Sequence, residues 1–176
     1  DAFCATGYGS KMLSAKLNCH VWGVDASGEA IRFAEEHYSD ERVFYSSKTF
    51  PFSLPADTFD FICCIESLEH VAEDELFLTS LSRSLKPAGY LFLSVPNETI
   101  HSLALNPNEF HQRQYTHGEI SDLVTAVGGL HLVECFGQNI YHMSEGRIHK
   151  VLPDSAMGLT RAREGQVLLF VLQGET

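Results

Sequence analysis

The chain has 176 residues, 44% hydrophobic and 20% charged, a balance that fits one globular domain with a core of ordinary size. Its net charge of −11 leaves only 12 scattered Lys and Arg, which argues against a nucleic-acid groove or an anionic membrane surface as the working face. Five cysteines, an odd number with no C-x-x-C pair, point away from disulfides and structural zinc and toward a reducing cytoplasm. No apolar run approaches the ~20 residues of a membrane span, and no signal peptide is visible.

The chain opens without Met on "DAFCATGYGS", which reads as a strand end running into a loop, so a preceding segment with a first strand is expected. "KMLSAKL" follows as a helix. "HVWGVD" (20–25) is a short strand ending in an acid, and Trp22 within it is expected in the core. "SGEAIRFAEEHY" (27–38) is a helix with Ser27 as N-cap. "RVFYSS" (42–47) is a strand. "FDFICCI" (59–65) is a continuous apolar run, as in a parallel strand buried on both faces, with Cys63 and Cys64 as buried small hydrophobes. "EDELFLTSLSRSLK" (73–86) is a helix whose Leu78, Leu81 and Leu85 share a face and which Pro87 stops. "YLFLSV" (90–95) is a strand. "THGEISDLVTAVGG" (116–129) is a helix with Thr116 as N-cap, Glu119 completing a capping box and Gly128 ending it. "LHLVECF" (130–136) and "QVLLFVL" (166–172) are the last strands. The segments 97–115 and 137–165 lack a clear element, and either could cover a substrate.

This alternation predicts an α/β fold, a doubly wound Rossmann-like sheet that is mostly parallel. Ligands in such sheets sit beyond the carboxyl ends of the strands. Two places of that kind carry chemistry. The first loop combines Asp1, small residues and two glycines before a helix N-terminus, though it is neither G-x-G-x-x-G nor a Walker A loop. Asp25 ends a strand about 20 residues later, the spacing of an acid that accepts ribose hydroxyls; its plainer role is a charge at the next helix N-terminus.

"DAFCATGYGS", "VWGVDAS", "LPADTFDFICCIESLEHV", "LSRSLKPAGYLFLSVPN" and "FHQRQYT" occur in order and at spacing that resembles class I S-adenosylmethionine-dependent methyltransferases, excepting roughly 139–165. The branch with "LEHV … LKPGG … PN … FH … T", which includes ubiquinone-pathway O-methyltransferases, is the most similar. The resemblance implies S-adenosylmethionine as cofactor, with Asp1, Phe3, Cys4, Ala5, Thr6 and Gly7 bordering its methionine part. It implies Asp25 on the ribose, Ala26 against the adenine, and Ile65 and Glu66 facing the amino group and sulfonium. Phe3 and Ala5 replace glycines common in that loop. Ser46 or Ser47 stands where an acid often meets the adenine amino group, and Ala88 replaces a turn glycine.

The second place is "FICCIESLEHV", where the apolar run stops at Glu66 and is followed by Glu69 and His70. If a helical turn starts there, the three share a face. His111, in the segment after the next strand, could reach the same mouth. The spacing resembles the Glu-x-Leu-Glu-His of ubiquinone-pathway enzymes. It also resembles small-RNA 2′-O-methyltransferases, which hold a divalent metal on such residues. Three readings stay open: a structural brace of Glu69 and His70, a general base supplied by His70 or His111, and a metal site of Glu66, Glu69, His70 and His111 suited to Mg²⁺, Mn²⁺ or Fe²⁺.

The expected organisation is one domain over 1–176, lacking its first strand, with a seven-stranded sheet, an antiparallel C-terminal hairpin and a substrate cap within 137–165. The expected function is methyl transfer to a hydroxyl of a small molecule or sugar. Its rivals are a catalytically silent cofactor-binding module, a nicotinamide oxidoreductase and a metal-dependent RNA 2′-O-methyltransferase.

Overall fold

A computed structural model describes residues 1–161 and 164–175, which fall into two compact units, Asp1–Ser53 and Leu54–Thr176. In the first, helix α1 (Tyr8–Leu17), strand β1 (Val21–Asp25), helix α2 (Gly28–Tyr38) and strand β2 (Val43–Ser47) alternate, and β1 pairs parallel with β2. Ala2 bridges Val24 in parallel on the chain's first residues. The core here is Cys4, Ile31, Ala34, Val43 and Tyr45. The α2 start is set as expected, with Ser27 Oγ accepting from Ala30 N at 3.2 Å.

The second unit contains strand β3 (Phe59–Ile65), a 3₁₀ turn (Leu68–His70), helix α3 (Asp74–Ser84), strand β4 (Leu85–Pro96), helix α4 (His117–Val127) and strand β5 (Leu130–Gln138). A hairpin of β6 (Tyr141–Ser144) and β7 (Arg147–Val151), a two-residue strand β8 (Leu159–Thr160) and strand β9 (Val167–Gly174) complete it. Its sheet runs β3-β4-β9-β5-β8. β3 and β4 are parallel, whereas β9 inserts antiparallel between β4 and β5. Phe77, Leu78, Leu81, Leu91, Leu93, Leu168, Phe170 and Leu172 are fully buried and make its core.

The chain is α/β, and β5 and β9, the two strands of the expected C-terminal hairpin, do pair antiparallel, but the expected mostly parallel seven-stranded sheet is not seen among the described residues. Among the described residues there are two-, five- and two-stranded sheets, and the five-stranded one is mixed because β9 enters between β4 and β5. The α3 helix ends at Ser84 instead of running to Pro87. Leu85 is already extended and pairs with Phe59, and the N–H groups of Asp57 and Thr58 take the last helical carbonyls of Arg83 and Ser84. The α4 capping box is present in full and Gly128 follows the helix. Segment 137–165, expected to lack elements, carries the β6–β7 hairpin; residues 162 and 163 of it lie outside the described ones. Trp22 is half-buried and not core, stacked on Phe44 with Nε1 donating to Ser46 Oγ at 3.0 Å.

Candidate active site

In the first unit the loop 1–7 is knitted onto β1. Val24 N donates to Asp1 O, Cys4 N to Val24 O, and Ala5 N to Asp25 Oδ2 at 2.9 Å. The other Asp25 oxygen accepts from Ser27 N, also at 2.9 Å. Asp25 is therefore aimed by two backbone N–H groups and keeps a lone pair on each oxygen for a further donor. The Asp1 carboxylate accepts from Ser10 Oγ at 2.6 Å, beside the α1 N-terminus. Phe3 (φ 57) and Ala5 (φ 46) hold the left-handed conformation that favours glycine, so the loop keeps a glycine-like path at a cost in strain.

Gly7 leaves no room for a side chain: at φ 82, an added Cβ would lie 2.6 Å from Ala34 Cβ and 2.8 Å from the Tyr45 ring. Tyr45 in turn donates to Gly7 O at 2.8 Å. No side chain caps α1 at Gly7 and its first turn holds no acid, so the first N–H groups can serve an anionic group of a ligand. Thr6 is exposed. Ser47 Oγ donates to Ala26 O at 3.4 Å, which places Ala26, Ser46 and Ser47 at the adjoining carboxyl ends of β1 and β2.

In the second unit, β3 delivers Ile65 and Glu66 to its carboxyl end. The Ile65 side chain is 46% exposed, an unusual state for the last residue of a buried strand and one available to a ligand. Glu66 does not begin a helical turn. It sits at φ 48, its N–H donates to Ser94, and Ser94 Oγ donates to Glu66 Oε1 at 2.7 Å. Burial pushes the Glu66 carboxyl up while the Ser94 hydroxyl pulls it down.

The left-handed break means that Glu66, Glu69 and His70 do not lie on one helix face; the 3₁₀ turn covers only Leu68–His70. Ligand atoms of Glu69, His70 and His111 nevertheless come within 4.8 Å of one another, a set without Glu66. Glu69 is 1% exposed, and its Oε2 has no hydrogen-bond partner. Its carboxyl is pushed up to about 8, first by burial and then by the Glu66 charge.

His70 Nε2 lies 4.0 Å from Glu69 Oε1, and the His70 and His111 rings stand edge to face at 4.9 Å. His70 Nδ1 is 2.9 Å from the Phe110 carbonyl. A carbonyl only accepts, so Nδ1 carries the proton and the lone pair sits on Nε2. Burial first, and the neighbouring imidazoles next, hold His111 below the ordinary histidine range.

The sequence pointed to both imidazoles but missed what holds them. The loop 108–112 is pinned over the 3₁₀ turn: Gln112 N donates to Glu69 O at 2.7 Å, and Asn108 Oδ1 accepts from Phe110 N at 3.0 Å. Ser94 and Gln114 lie inside the motifs quoted above without being singled out by them, and Asn108 lies outside those motifs.

The family described as a methyltransferase domain matches residues 1–93, just over half of the chain, and takes in both the glycine loop and the β3 end. The chain belongs to the class I S-adenosylmethionine-dependent methyltransferases. The cofactor of that family is S-adenosylmethionine. Among curated relatives, this chain is 37% identical over 105 residues to the mitochondrial ubiquinone biosynthesis O-methyltransferase of Schizosaccharomyces pombe, across 57% of this chain and 38% of that one. It is 34% identical over 105 residues to the ubiquinone biosynthesis O-methyltransferase of Rhizobium etli, across 56% and 42%. The match thus spans well under half the length of these relatives.

The fold of this chain is similar to that of a Haloferax volcanii methyltransferase solved with the Trm112 methyltransferase activator (TM-score 0.74, 19% identity, 100% of this chain and 81% of that one). It is also similar to an S-adenosylmethionine-dependent methyltransferase from Mesorhizobium loti (TM-score 0.73, 13% identity, 98% and 88%).

The residues present fit that cofactor. Asp25 retains acceptor capacity for ribose hydroxyls, and the uncapped α1 start offers donors. They also fit a divalent cation: a buried carboxylate oxygen without a partner stands beside two imidazoles, a donor set known for Fe²⁺ and its neighbours.

Proposed function

We propose that this chain transfers a methyl group from S-adenosylmethionine to a hydroxyl oxygen of a small molecule or sugar, with His70 as general base. The observation that carries this reading is the His70 hydrogen bond to the Phe110 carbonyl. It leaves the Nε2 lone pair free at the mouth formed by Glu69 and His111. Bound S-adenosylmethionine supplies an electrophilic methyl carbon whose bond to sulfur breaks as the acceptor oxygen bonds to it. His70 Nε2 takes the hydroxyl proton, and the Phe110 carbonyl steadies the imidazolium that forms. Asp25 holds the ribose, and the loop from Asp1 to Gly7 borders the methionine part. The 34–37% identity to ubiquinone biosynthesis O-methyltransferases supports an oxygen acceptor. The net charge of −11 speaks against RNA, and five free cysteines suit a reducing compartment such as the cytoplasm.

The hairpin β6–β7 acts as the acceptor-side cap in this reading. Asn106 ties its tip to the 97–115 segment, donating to Gly146 O at 2.8 Å and accepting from Ile148 N at 3.0 Å. A silent binding module is less well supported, because Phe3 and Ala5 keep the glycine-like loop path.

The test is transfer of a labelled methyl group to catechol and to methyl glucoside. His70→Ala should lower turnover at least about 100-fold with S-adenosylhomocysteine affinity unchanged. Full turnover in that variant would remove His70 from the mechanism.

A second reading rests on the unpartnered Glu69 Oε2: Glu69, His70 and His111 would hold a divalent cation that lowers the pKa of the acceptor hydroxyl. Full activity in a chelator-treated, metal-free preparation would rule out an essential ion.

A further inference from the structure

We infer that Gln114, held in place by Glu98, is a positioning residue that fixes His111 in the tautomer with its proton on Nδ1 and its lone pair on Nε2. Gln114 is 5% exposed, so its amide must find partners inside the protein. One end faces the His101 carbonyl and Glu98 Oε2, the latter at 3.1 Å. Both are acceptors only, so that end is the NH₂ group. Glu98 cannot turn away, since Ser102 Oγ donates to its Oε1 at 2.8 Å and Leu103 N to its Oε2 at 2.9 Å. The other end of the amide, 3.4 Å from His111 Nδ1, is therefore the oxygen, and it calls for a proton on Nδ1.

A second amide reaches the same answer independently. Asn108 Oδ1 is engaged by Phe110 N, so its NH₂ group faces His111 Nε2 at 2.9 Å and calls for a lone pair there. Two amides, each oriented by a different fixed partner, thus specify one tautomer. The consequence is a division of labour between the imidazoles. Both present Nε2, but His70 Nε2 is open at the mouth, whereas His111 Nε2 is covered by Asn108 and reaches an ion or a hydroxyl only when that exposed side chain swings aside. His111 is an orienting or ligating group, and His70 is the base. This rests on the proposed methyl transfer for its role, though not for the tautomer itself.

The experiment is long-range proton–nitrogen NMR on the full chain labelled at histidine nitrogen, with methyl transfer to catechol measured in parallel. The wild-type chain should show His111 with an unprotonated Nε2. Gln114→Leu should turn this into a mixture of tautomers and lower kcat about 10-fold, leaving the KM for S-adenosylmethionine unchanged. A protonated Nε2 in the wild-type chain would overturn the inference, which keeps the test decisive even if Gln114→Leu does not fold. An unchanged tautomer in folded Gln114→Leu would overturn it equally. Absence of any methyl transfer, with the expected tautomer present, would instead sink the proposed function and leave the positioning role of Gln114 standing.

Discussion

Replacing Glu69 by Gln should make stability less dependent on pH, in a direction the structure dictates. The carboxyl is 1% exposed, has one oxygen without a partner and lies near Glu66, so its folded-state pKa rises from 4.5 to about 8. Between those values the folded chain holds a proton that the unfolded chain has lost. Unfolding free energy therefore falls as pH rises through this window, the sign expected of a raised pKa. At about 1.4 kcal/mol per unit the full shift is worth roughly 5 kcal/mol. Water entering as the carboxylate forms would cut this to about 2 kcal/mol in practice. Gln keeps the shape and the neutral charge, so Glu69→Gln should match the wild type near pH 5 and exceed it by about 2 kcal/mol near pH 8.5. Urea unfolding at half-unit pH steps, in chelator, provides the measurement. Parallel curves for the two proteins across pH 5 to 8.5 would refute the reasoning, because they would mean that Glu69 is ionised throughout.

Gly7→Ala should destabilise by about 3 kcal/mol, combining left-handed strain with the overlap of the new Cβ against Ala34 and Tyr45; a loss under about 1 kcal/mol in denaturant unfolding would contradict it. Ala88→Gly should stabilise by about 0.5–1 kcal/mol, since Ala88 sits at φ 59 and the relief of Cβ strain exceeds the added unfolded-state entropy. A lowered unfolding midpoint would show that this turn is not strained.

How far the sequence could be read depends on whether a feature is local. The capping box at Thr116 and Glu119 and the Ser27 cap are formed by residues three apart, and both stand as their spacing implies. The apolar run of β3 was readable because both of its faces are covered at Ile62, Cys63 and Cys64. The end of α3 was not, because pairing of Leu85 with Phe59, 26 residues away in sequence, decides it. The β6–β7 hairpin was hidden for the opposite reason: β7 is exposed throughout, so it shows no alternation, and only the left-handed turn at Glu145 and Gly146 marks it. At the site, acidic and imidazole groups were visible as a cluster, yet which of them meet depended on the φ of Glu66. The amides that orient His111 are ordinary loop residues until the fold brings Glu98 beside Gln114.

The central claim is that Asp25 and its loop hold S-adenosylmethionine. Calorimetric titration of the protein with S-adenosylhomocysteine tests it most directly. The account predicts binding that Asp25→Ala weakens by at least about 10-fold, a loss of about 1.4 kcal/mol, while Asp57→Ala, at a turn before β3, leaves it unchanged. No binding by the wild-type protein, or equal losses in the two variants, would contradict the account.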